Sequence, residues 1–544
     1  MDDQPKPGGS DRDNGAVALD FDVVVIGGSI SGASAALMLA QAQAGLKVLI
    51  VEGQDALGRR VGESTVELST FFLTRTLGLT RYLNQTQVVK QGFRFWFNND
   101  EARCMSSSTE MGGRYHSRVG SFQLDREEVD AEVLRRAVAA GAELWRPARV
   151  KSFDLVAGGP QTLVVRVGDE ERTVRARWVV DASGRRAATA RHQDTWRRTP
   201  GHPTASVWAR FRGTLDFDAP ELMAEHPALR KNFFGTRHTA TNHLIGDGWW
   251  AWIIPLKNGD TSIGVTWDER FFAFPKPGEG RASLGQRLVE VVGSHPVGRR
   301  VIDGAELIDD DVHTLRNLPY TCDDAAGDGW LQVGDAAGFI DPFYSMGLDA
   351  LAISATSAVA LIERERSGAC IKDALTKHNA MLRDSYRNWF EAIYQDKYAY
   401  MGDFELMRIA FLNDIGLYYF GIVMPPYRRD GAAIADGMFH SKPSKPFFWF
   451  IRGVNRRLAA IAMDRRRRGT FGRKNAGRRA LIPGFAFDVS LAKAAWKVLL
   501  LMAWLEMTEG WRTWFHRPAV GGLPVPEQPD SGASSPSAPA AATP

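Results

Sequence analysis

Short apolar runs alternate with a helical pattern near the start of the chain. Residues 21–26 (FDVVVI) are apolar and β-branched throughout, which predicts a strand buried on both faces. Residues 33–44 are small and helix-like and end at Gly45, and residues 48–51 form a second apolar run. Strand, helix and strand in this order predict a βαβ unit of a parallel sheet.

A glycine-rich turn joins the first strand to the helix. It reads Gly27-Gly28-Ser29-Ile30-Ser31-Gly32, and Glu52 follows the second strand, 20 residues beyond Gly32. Such a turn presents backbone N–H groups at a helix N-terminus to a pyrophosphate, and the acid accepts hydrogen bonds from a ribose. Ser29 stands where the fingerprint has its middle glycine and crowds that approach. The pattern favours a dinucleotide site over a structural turn but does not choose between FAD and NAD. The predicted contacts are Gly27, Gly28, Ser29, Ser31, Gly32 and Glu52.

Later patterns suggest which dinucleotide binds. The run 123–126 (QLDR) precedes a helical pattern at 127–140, and three strand-like runs follow at 148–155, 162–167 and 172–180. A much later strand enters Gly334-Asp335-Ala336-Ala337-Gly338. This order resembles the FAD module of the aromatic-hydroxylase structural family. The resemblance implies that Asp335 contacts the ribityl or ribose hydroxyls of FAD and that Gly338 belongs to the same turn. Two ordinary β-turns are the alternative.

The middle and the end of the chain have different patterns. Alternating runs at 205–212, 249–256 and 261–267, the last two joined by Asn258-Gly259, predict a hairpin within a sheet at about 195–325. We expect residues 21–385 to form one module and residues 386–516 a helical domain. The tails at 1–20 and at 517–544, which is rich in proline, alanine and serine, are expected to be disordered.

Lys90 precedes a run of unusual composition. Residues 91–97 (QGFRFWF) are aromatic at alternate positions and read as a half-buried strand. A lysine at the mouth of such a strand can point into an apolar cavity, where desolvation would lower its pKa. A solvated surface lysine is the alternative.

Three motifs carry a closer resemblance. Lys90-Gln91-Gly92-Phe93 has the form Lys-x-Gly-Phe, residues 250–255 match Trp-x-Trp-x-Ile-Pro, and residues 339–347 match Phe-x-x-Pro-x-x-Ser-x-Gly. Together they resemble the phenol-type flavin-dependent halogenases. The fold implied is α/β, with a Rossmann-like FAD-binding module of the aromatic-hydroxylase type, an antiparallel β-sheet substrate layer and a C-terminal helical domain.

The resemblance also implies roles for particular residues. The implied catalytic residues are Lys90 and Ser345, with a hydrogen bond between them. The implied flavin-ring contacts are Glu63, Ser64 and Thr65, and Gly347 is a further implied cofactor contact. The implied halide ligands are the amides of Met346 and Gly347, and the implied active-site wall comprises Trp250, Trp252, Pro342 and Tyr344. Two core tryptophans and a simple helix cap at Ser345 are the alternatives. Tyr344 stands where tryptophan-type halogenases carry a glutamate, which argues for a phenolic or pyrrolic substrate.

The activity implied is halogenation of an electron-rich aromatic ring. Reduced FAD from a separate flavin reductase, O2 and chloride or bromide would give hypohalous acid, which Lys90 would position or activate. The substrate would be small, either free or tethered to a carrier protein. The alternatives are an FAD-dependent aromatic monooxygenase, an isoprenoid double-bond reductase and a non-catalytic flavoprotein.

Composition narrows the class of protein further. Three cysteines in 544 residues indicate a reducing compartment, and the first 20 residues lack the pattern of a signal peptide, so a cytoplasmic protein is expected. Two lysines interrupt the late apolar stretch at 491–507, and no transmembrane segment is predicted. No histidine spacing suggests a metal site, and a net charge of +4 does not indicate nucleic acid. The arginine-rich residues 465–479 read first as a solvated loop; an acidic partner, a membrane surface and nucleic acid are the alternatives.

Overall fold

The computed structural model describes residues 18–42, 45–98, 102–278, 283–437, 445–482, 484 and 489–515. The two tails predicted to be disordered therefore lie almost wholly outside the described residues.

A mainly parallel sheet forms the first layer. Phe21–Ile26 lies at its centre and pairs in parallel with Val48–Val51 on one side and Glu170–Asp181 on the other. Val23, Val24 and Val25 are completely buried, since helices and further strands cover both faces. The remaining strands of this sheet are Glu143–Trp145, Ala148–Asp154, Gln161–Val167, Ala326–Gly327 and Trp330–Gln332.

The predicted βαβ unit is confirmed. Both strands have the predicted bounds, and the helix runs over Ile30–Ala42, beginning three residues earlier than its pattern suggested. It packs against Arg126–Ala139 and Gly347–Arg366.

A larger sheet forms the second layer. Its central strands, Thr204–Arg212, Thr261–Asp268, Trp249–Pro255 and Thr241–Ile245, are antiparallel neighbours in that order. The predicted hairpin is confirmed, with Pro255 opposite Thr261 across the Asn-Gly turn. Phe93–Phe97 and Arg479–Ile482 extend the sheet through parallel pairings that the sequence did not predict. The other members are Thr109–Gly113, Glu306–Leu307 and His313–Arg316.

Two small sheets complete the strand structure. Val88–Lys90 pairs with Ser121–Gln123, and this pairing places Lys90 opposite Ser121. The second small sheet comprises Trp196–Arg198, Tyr320–Cys322 and Gly338–Phe339.

The last third is mostly helical, as its pattern predicted. Helix Lys372–Trp389 crosses the expected domain boundary at residue 385 and continues as a π-helical turn over Phe390–Tyr394. The later helices are Lys397–Tyr400, Phe404–Tyr418 with a π-helical turn at Tyr419–Val423, Met424–Arg428, Lys445–Arg467 and Val489–Thr508. Shorter helices elsewhere are Glu67–Phe71, Thr80–Thr86, Ala188–His192, Pro220–Glu225, Leu284–Ser294 and Pro296–Val301.

Two helical segments are long and apolar enough to cross a membrane. They are Phe343–Arg366 and Phe404–Arg428, and 72% of the most apolar window of each is buried inside the protein. Packing in the core accounts for their composition.

The interpretation of residues 465–479 as a solvated loop holds for only part of the segment: the Arg467 side chain is 58% exposed, whereas Arg465 is buried. Arg465 lies near the end of helix Lys445–Arg467 and is completely buried. Its guanidinium pairs with Asp403 at 2.7 Å and with Glu509 at 2.5 Å. The positive charge therefore holds helices of the last third together, because a buried arginine requires carboxylate partners.

Candidate active site

A cavity of about 720 Å³ opens along the carboxyl ends of the parallel strands. Gly27 has a φ of +104°, and a Cβ on Gly32 would lie 1.9 Å from the carbonyl oxygen of Gly27. Only glycine fits either position, since the turn needs a left-handed residue and close helix packing. This is the cradle that the pyrophosphate of a dinucleotide such as FAD requires.

Two acids fix the turn. Glu52 accepts a hydrogen bond from the N–H of Gly28 at 2.6 Å and one from Gln54 at 2.9 Å. The hydroxyl of Ser29 donates to Asp130, so the side chain that replaces the middle glycine has a partner within the protein.

Most of the residues expected at the cofactor line this cavity. They are Gly27, Ser29, Ser31, Glu52, Glu63, Ser64, Asp335 and Gly347. The others lie just outside: Gly28 and Gly32 in the turn, Thr65 bonded to Phe122, and Gly338 at a neighbouring cavity. Burial raises the pKa of Asp335 to about 6, although Arg126 and Arg185 oppose the shift.

Lys90 lies at a second cavity, of about 110 Å³. Its side chain is 1% exposed. Nζ donates to Ser64 Oγ at 2.8 Å and to the carbonyl oxygen of Thr65 at 2.7 Å, and it lies 3.9 Å from the centre of the Phe93 ring. Burial lowers the pKa of Lys90 to about 7, against the opposing charges of Glu67 and Asp349. The lysine is therefore buried, as expected, but it ends the separate strand Val88–Lys90, and the predicted aromatic strand begins only at Phe93.

Aromatic side chains separate the two cavities. Trp250 lines the larger cavity and Tyr344 the smaller one, and the completely buried Phe343 lies between them. The ring centres of Trp250 and Phe343 are 5.0 Å apart, and those of Phe343 and Tyr344 are 4.2 Å apart. Trp252 and Pro342 also line the larger cavity. The three rings form a continuous apolar partition.

The turn before helix Gly347–Arg366 crosses this partition. Tyr344 and Ser345 have φ values of 68° and 60°, a left-handed pair that non-glycine residues rarely adopt. Ser345 and Gly347 line the larger cavity, whereas Met346 lines the smaller one. The backbone amides expected to bind halide therefore lie at the junction of the two cavities.

The expected hydrogen bond between Ser345 and Lys90 is wrong. Among the described residues, Lys90 Nζ donates to Ser64 and Thr65 instead. Ser345 lines the FAD side of the partition, so its side chain and the lysine belong to different cavities.

Sequence reasoning missed a carboxylate–tyrosine cluster around Lys90. Glu67 lines the lysine cavity and accepts a hydrogen bond of 2.5 Å from Tyr419. Asp349 accepts a hydrogen bond of 2.9 Å from the hydroxyl of Tyr418 and one of 2.8 Å from the N–H of Ser69. Burial raises the pKa of Glu67 and raises that of Asp349 to about 7. Glu67 directly follows the run 63–66, but no sequence signal indicated that Asp349 or the tyrosines would join it.

A second missed network orients Glu63. Arg210 reaches Glu63 at 3.2 Å and Asp125 at 3.0 Å, and all three side chains are buried. Burial raises the pKa of Glu63 to about 7 even though Ser262 and Arg210 lower it. Arg210 thus holds the carboxylate at the wall of the larger cavity.

Comparison with known proteins places this site in a class. Residues 20–275 match the model of the FAD binding domain family. The fold and the glycine cradle agree with that match, which covers just under half of the chain.

Curated proteins of similar sequence include flavin-dependent halogenases. The chain is 26% identical over 390 residues to the flavin-dependent halogenase chlA of Dictyostelium discoideum, covering 64% of this chain and 61% of that protein. It is 28% identical over 352 residues to the tetracycline 7-halogenase of Kitasatospora aureofaciens, covering 60% of each. The chain thus spans less than two thirds of either relative.

A solved structure covers more of the chain. Halogenase PltM in complex with phloroglucinol and FAD superposes with a TM-score of 0.67 at 17% identity, over 90% of this chain and 96% of that one. The predicted resemblance is confirmed: the chain is related to the flavin-dependent halogenases and has their fold.

Proposed function

We propose that this protein is a flavin-dependent halogenase that acts on a small, electron-rich phenolic ring. One observation carries the proposal: a buried lysine in a small cavity, separated by an aromatic partition from a cavity that fits FAD. Such separation keeps the oxygen chemistry away from the ring, so that a small diffusing oxidant rather than the flavin reaches the substrate.

A separate flavin reductase would supply the reduced FAD. Together with O2, the bound cofactor would oxidise chloride or bromide by two electrons to hypohalous acid. The chain's part is to bind the halide at the amides of Met346 and Gly347, to exclude water and to place the oxidant. A helix N-terminus with a left-handed turn before it presents N–H groups suited to an anion.

The position of Lys90 suits a donor to hypohalous acid. Two of the three N–H groups of its ammonium are bonded to Ser64 and Thr65. The third would donate to the oxygen of the acid, drawing electrons from the O–halogen bond. The ring would then take the halogen and lose a proton, the oxygen would leave as water, and the ring hydrogen would be replaced by halogen.

The surroundings of the lysine favour a phenol. Glu67 lies on the same cavity, and burial raises its pKa, which makes its carboxylate a stronger proton acceptor than an exposed one. An acceptor for the phenolic proton would increase the electron density of the ring. Tyr344 and Phe411 line the same space and provide apolar contact for an aromatic substrate.

The test is a bromination assay with the full chain, FAD, a flavin reductase, O2, bromide and a panel of phenols. Wild type is compared with Lys90→Met, which keeps the apolar stem, and with Lys257→Met, an exposed lysine in the hairpin turn. We expect brominated product from wild type and Lys257→Met, and none from Lys90→Met, while all three oxidise flavin.

Two results would contradict the proposal. Hydroxylated product formed without regard to halide would identify an aromatic monooxygenase. Undiminished bromination by Lys90→Met would show that the lysine does not take part in the reaction.

A further inference from the structure

Helix Val489–Thr508 is apolar on two opposite faces. Ala494, Val498 and Leu505 are buried, and the helix packs on Phe404–Tyr418. A helix on the surface of a globular protein normally carries polar residues on the side away from the core. The outward side of this helix instead carries large apolar side chains beside two lysines.

The outward face consists of large apolar side chains. They recur at spacings of three and four residues and continue into the turn Gly510–Thr513, which places them on one stripe. The stripe, here called the aromatic ridge, comprises Trp496, Leu500, Trp504, Met507 and Trp511, which are 50–69% exposed. From Trp496 to Met507, within the helix, the ridge extends for about 17 Å at the rise of an α-helix.

Positive charge borders the ridge. Lys493 and Lys497 lie on the same helix, next to the stripe, and the guanidinium of Arg512 lies 5.3 Å from the centre of the Trp511 ring. The nearby carboxylates are engaged elsewhere: Glu506 pairs with Arg457 at 2.7 Å and Glu509 pairs with Arg465 at 2.5 Å. The charge left at the ridge is therefore positive.

An exposed stripe of tryptophans flanked by positive charge matches the surface of a lipid bilayer. Among the described residues, the ridge is one exposed face of a single helix. Tryptophan prefers the boundary between lipid headgroups and acyl chains, and flanking lysine and arginine are attracted to anionic headgroups.

We propose that the aromatic ridge docks this protein on an anionic lipid bilayer, with the helix lying in the plane of the interface. The protein would then be a peripheral membrane protein in which apolar burial and the attraction of Lys493 and Lys497 to the headgroups act together. This inference rests on the surface alone and does not depend on the halogenase activity.

The test is vesicle flotation of the full FAD-loaded chain. Vesicles of pure phosphatidylcholine are compared with vesicles of equal parts phosphatidylcholine and phosphatidylglycerol. We expect the protein to float with the anionic vesicles, and its tryptophan emission to shift to the blue. Lys493→Gln combined with Lys497→Gln should weaken the partition roughly 25-fold, because each basic residue near such a surface contributes about fivefold.

Apolar variants test the ridge itself. Leu500→Ser combined with Trp504→Ser should abolish flotation, whereas Phe234→Ala, which removes an exposed aromatic side chain far along the chain, should leave it unchanged. Retained flavin absorbance shows that each variant is folded; if the double serine variant fails to fold, the lysine variants still decide the matter.

Two outcomes would overturn the proposal. One is the absence of flotation with anionic vesicles. The other is a dimer in solution that the ridge substitutions dissociate, which would make a second copy of the chain the occupant.

Discussion

Lys90 Nζ donates a hydrogen bond of 2.8 Å to Ser64 Oγ, and this contact connects the two cavities. Ser64 lines the larger cavity, which fits FAD, and Lys90 lines the smaller one. Ser64 also lies 3.0 Å from the hydroxyl of Thr241 on the larger sheet. The lysine is therefore oriented from the FAD side of the aromatic partition.

Replacing this partner should uncouple the two halves of the reaction. In Ser64→Ala, Lys90 keeps only its bond to Thr65, and a lost hydrogen bond to a charged group corresponds to about a tenfold effect. We expect brominated product per flavin oxidised to fall by about tenfold with flavin oxidation unchanged. Ser294→Ala, at an exposed helix end, is the control. An equal loss of brominated product in that variant would show that the effect is not specific to Ser64.

The halogenation rate should depend on pH through Lys90. Its pKa is lowered to about 7, so the ammonium that donates to hypohalous acid is lost as pH rises above about 7. We expect product per flavin oxidised to decline over that range. Burial also raises the pKa of Asp349 to about 7, so this group could titrate over the same range. The pH profile should therefore be measured again in Asp349→Asn, where we expect the decline in product to persist. A rate that rises above pH 7 would identify the neutral amine as the active form.

Glu67 should matter most for phenols that are un-ionised. Glu67→Gln keeps the shape of the side chain and removes the proton acceptor, a change that costs about a hundredfold or more for a general base. We expect bromination of simple phenols to fall by that amount. A nitrophenol that is already ionised at the assay pH should be brominated nearly as well as by wild type. An equal loss on both substrates would show that Glu67 has only a structural role.

The glycine turn should tolerate no side chain. In Gly32→Ala the new Cβ would lie 1.9 Å from the carbonyl oxygen of Gly27, so the turn must shift and FAD affinity should be lost. Gly416→Ala is the matched helical control, since nothing lies within 4 Å of its Cβ position. Flavin fluorescence titration measures the FAD affinity of both variants. Comparable affinities would show that the glycine turn is not the site that holds FAD.

A buried ion cluster should be important for stability. Glu110 contacts Arg237 at 2.8 Å and Arg479 at 3.1 Å, and it also pairs with Arg94. Burial alone would raise the pKa of Glu110, but the guanidinium groups of Arg94 and Arg237 lower it to about 2.

Removing this carboxylate leaves buried positive charges without a partner. Glu110→Gln should lower the free energy of unfolding by about 3–5 kcal/mol. Glu170→Gln breaks an exposed pair with Arg172 and should cost about 1 kcal/mol or less. Urea unfolding followed by circular dichroism compares the two, and similar midpoints would show that the cluster contributes little.

Local patterns accounted for much of this fold. The strands Phe21–Ile26 and Val48–Val51 and the turn between them were predictable because residues close in sequence determine them. The hairpin at Asn258-Gly259 was predictable for the same reason. Strand Arg479–Ile482 was not, since it pairs with Thr109–Gly113, which is far away along the chain.

The candidate site divides in the same way. By itself the sequence determined the glycine cradle, the place of Glu52 at the end of the second strand and the strand that carries the two tryptophans, because each depends on the pattern of a single element. Only the tertiary structure decided that Ser64, and not Ser345, accepts a hydrogen bond from Lys90, that Glu67 and Asp349 lie around it, and that Arg465 is buried. The physical reason is that a buried charge must find partners through packing, and those partners come from segments that no local pattern connects.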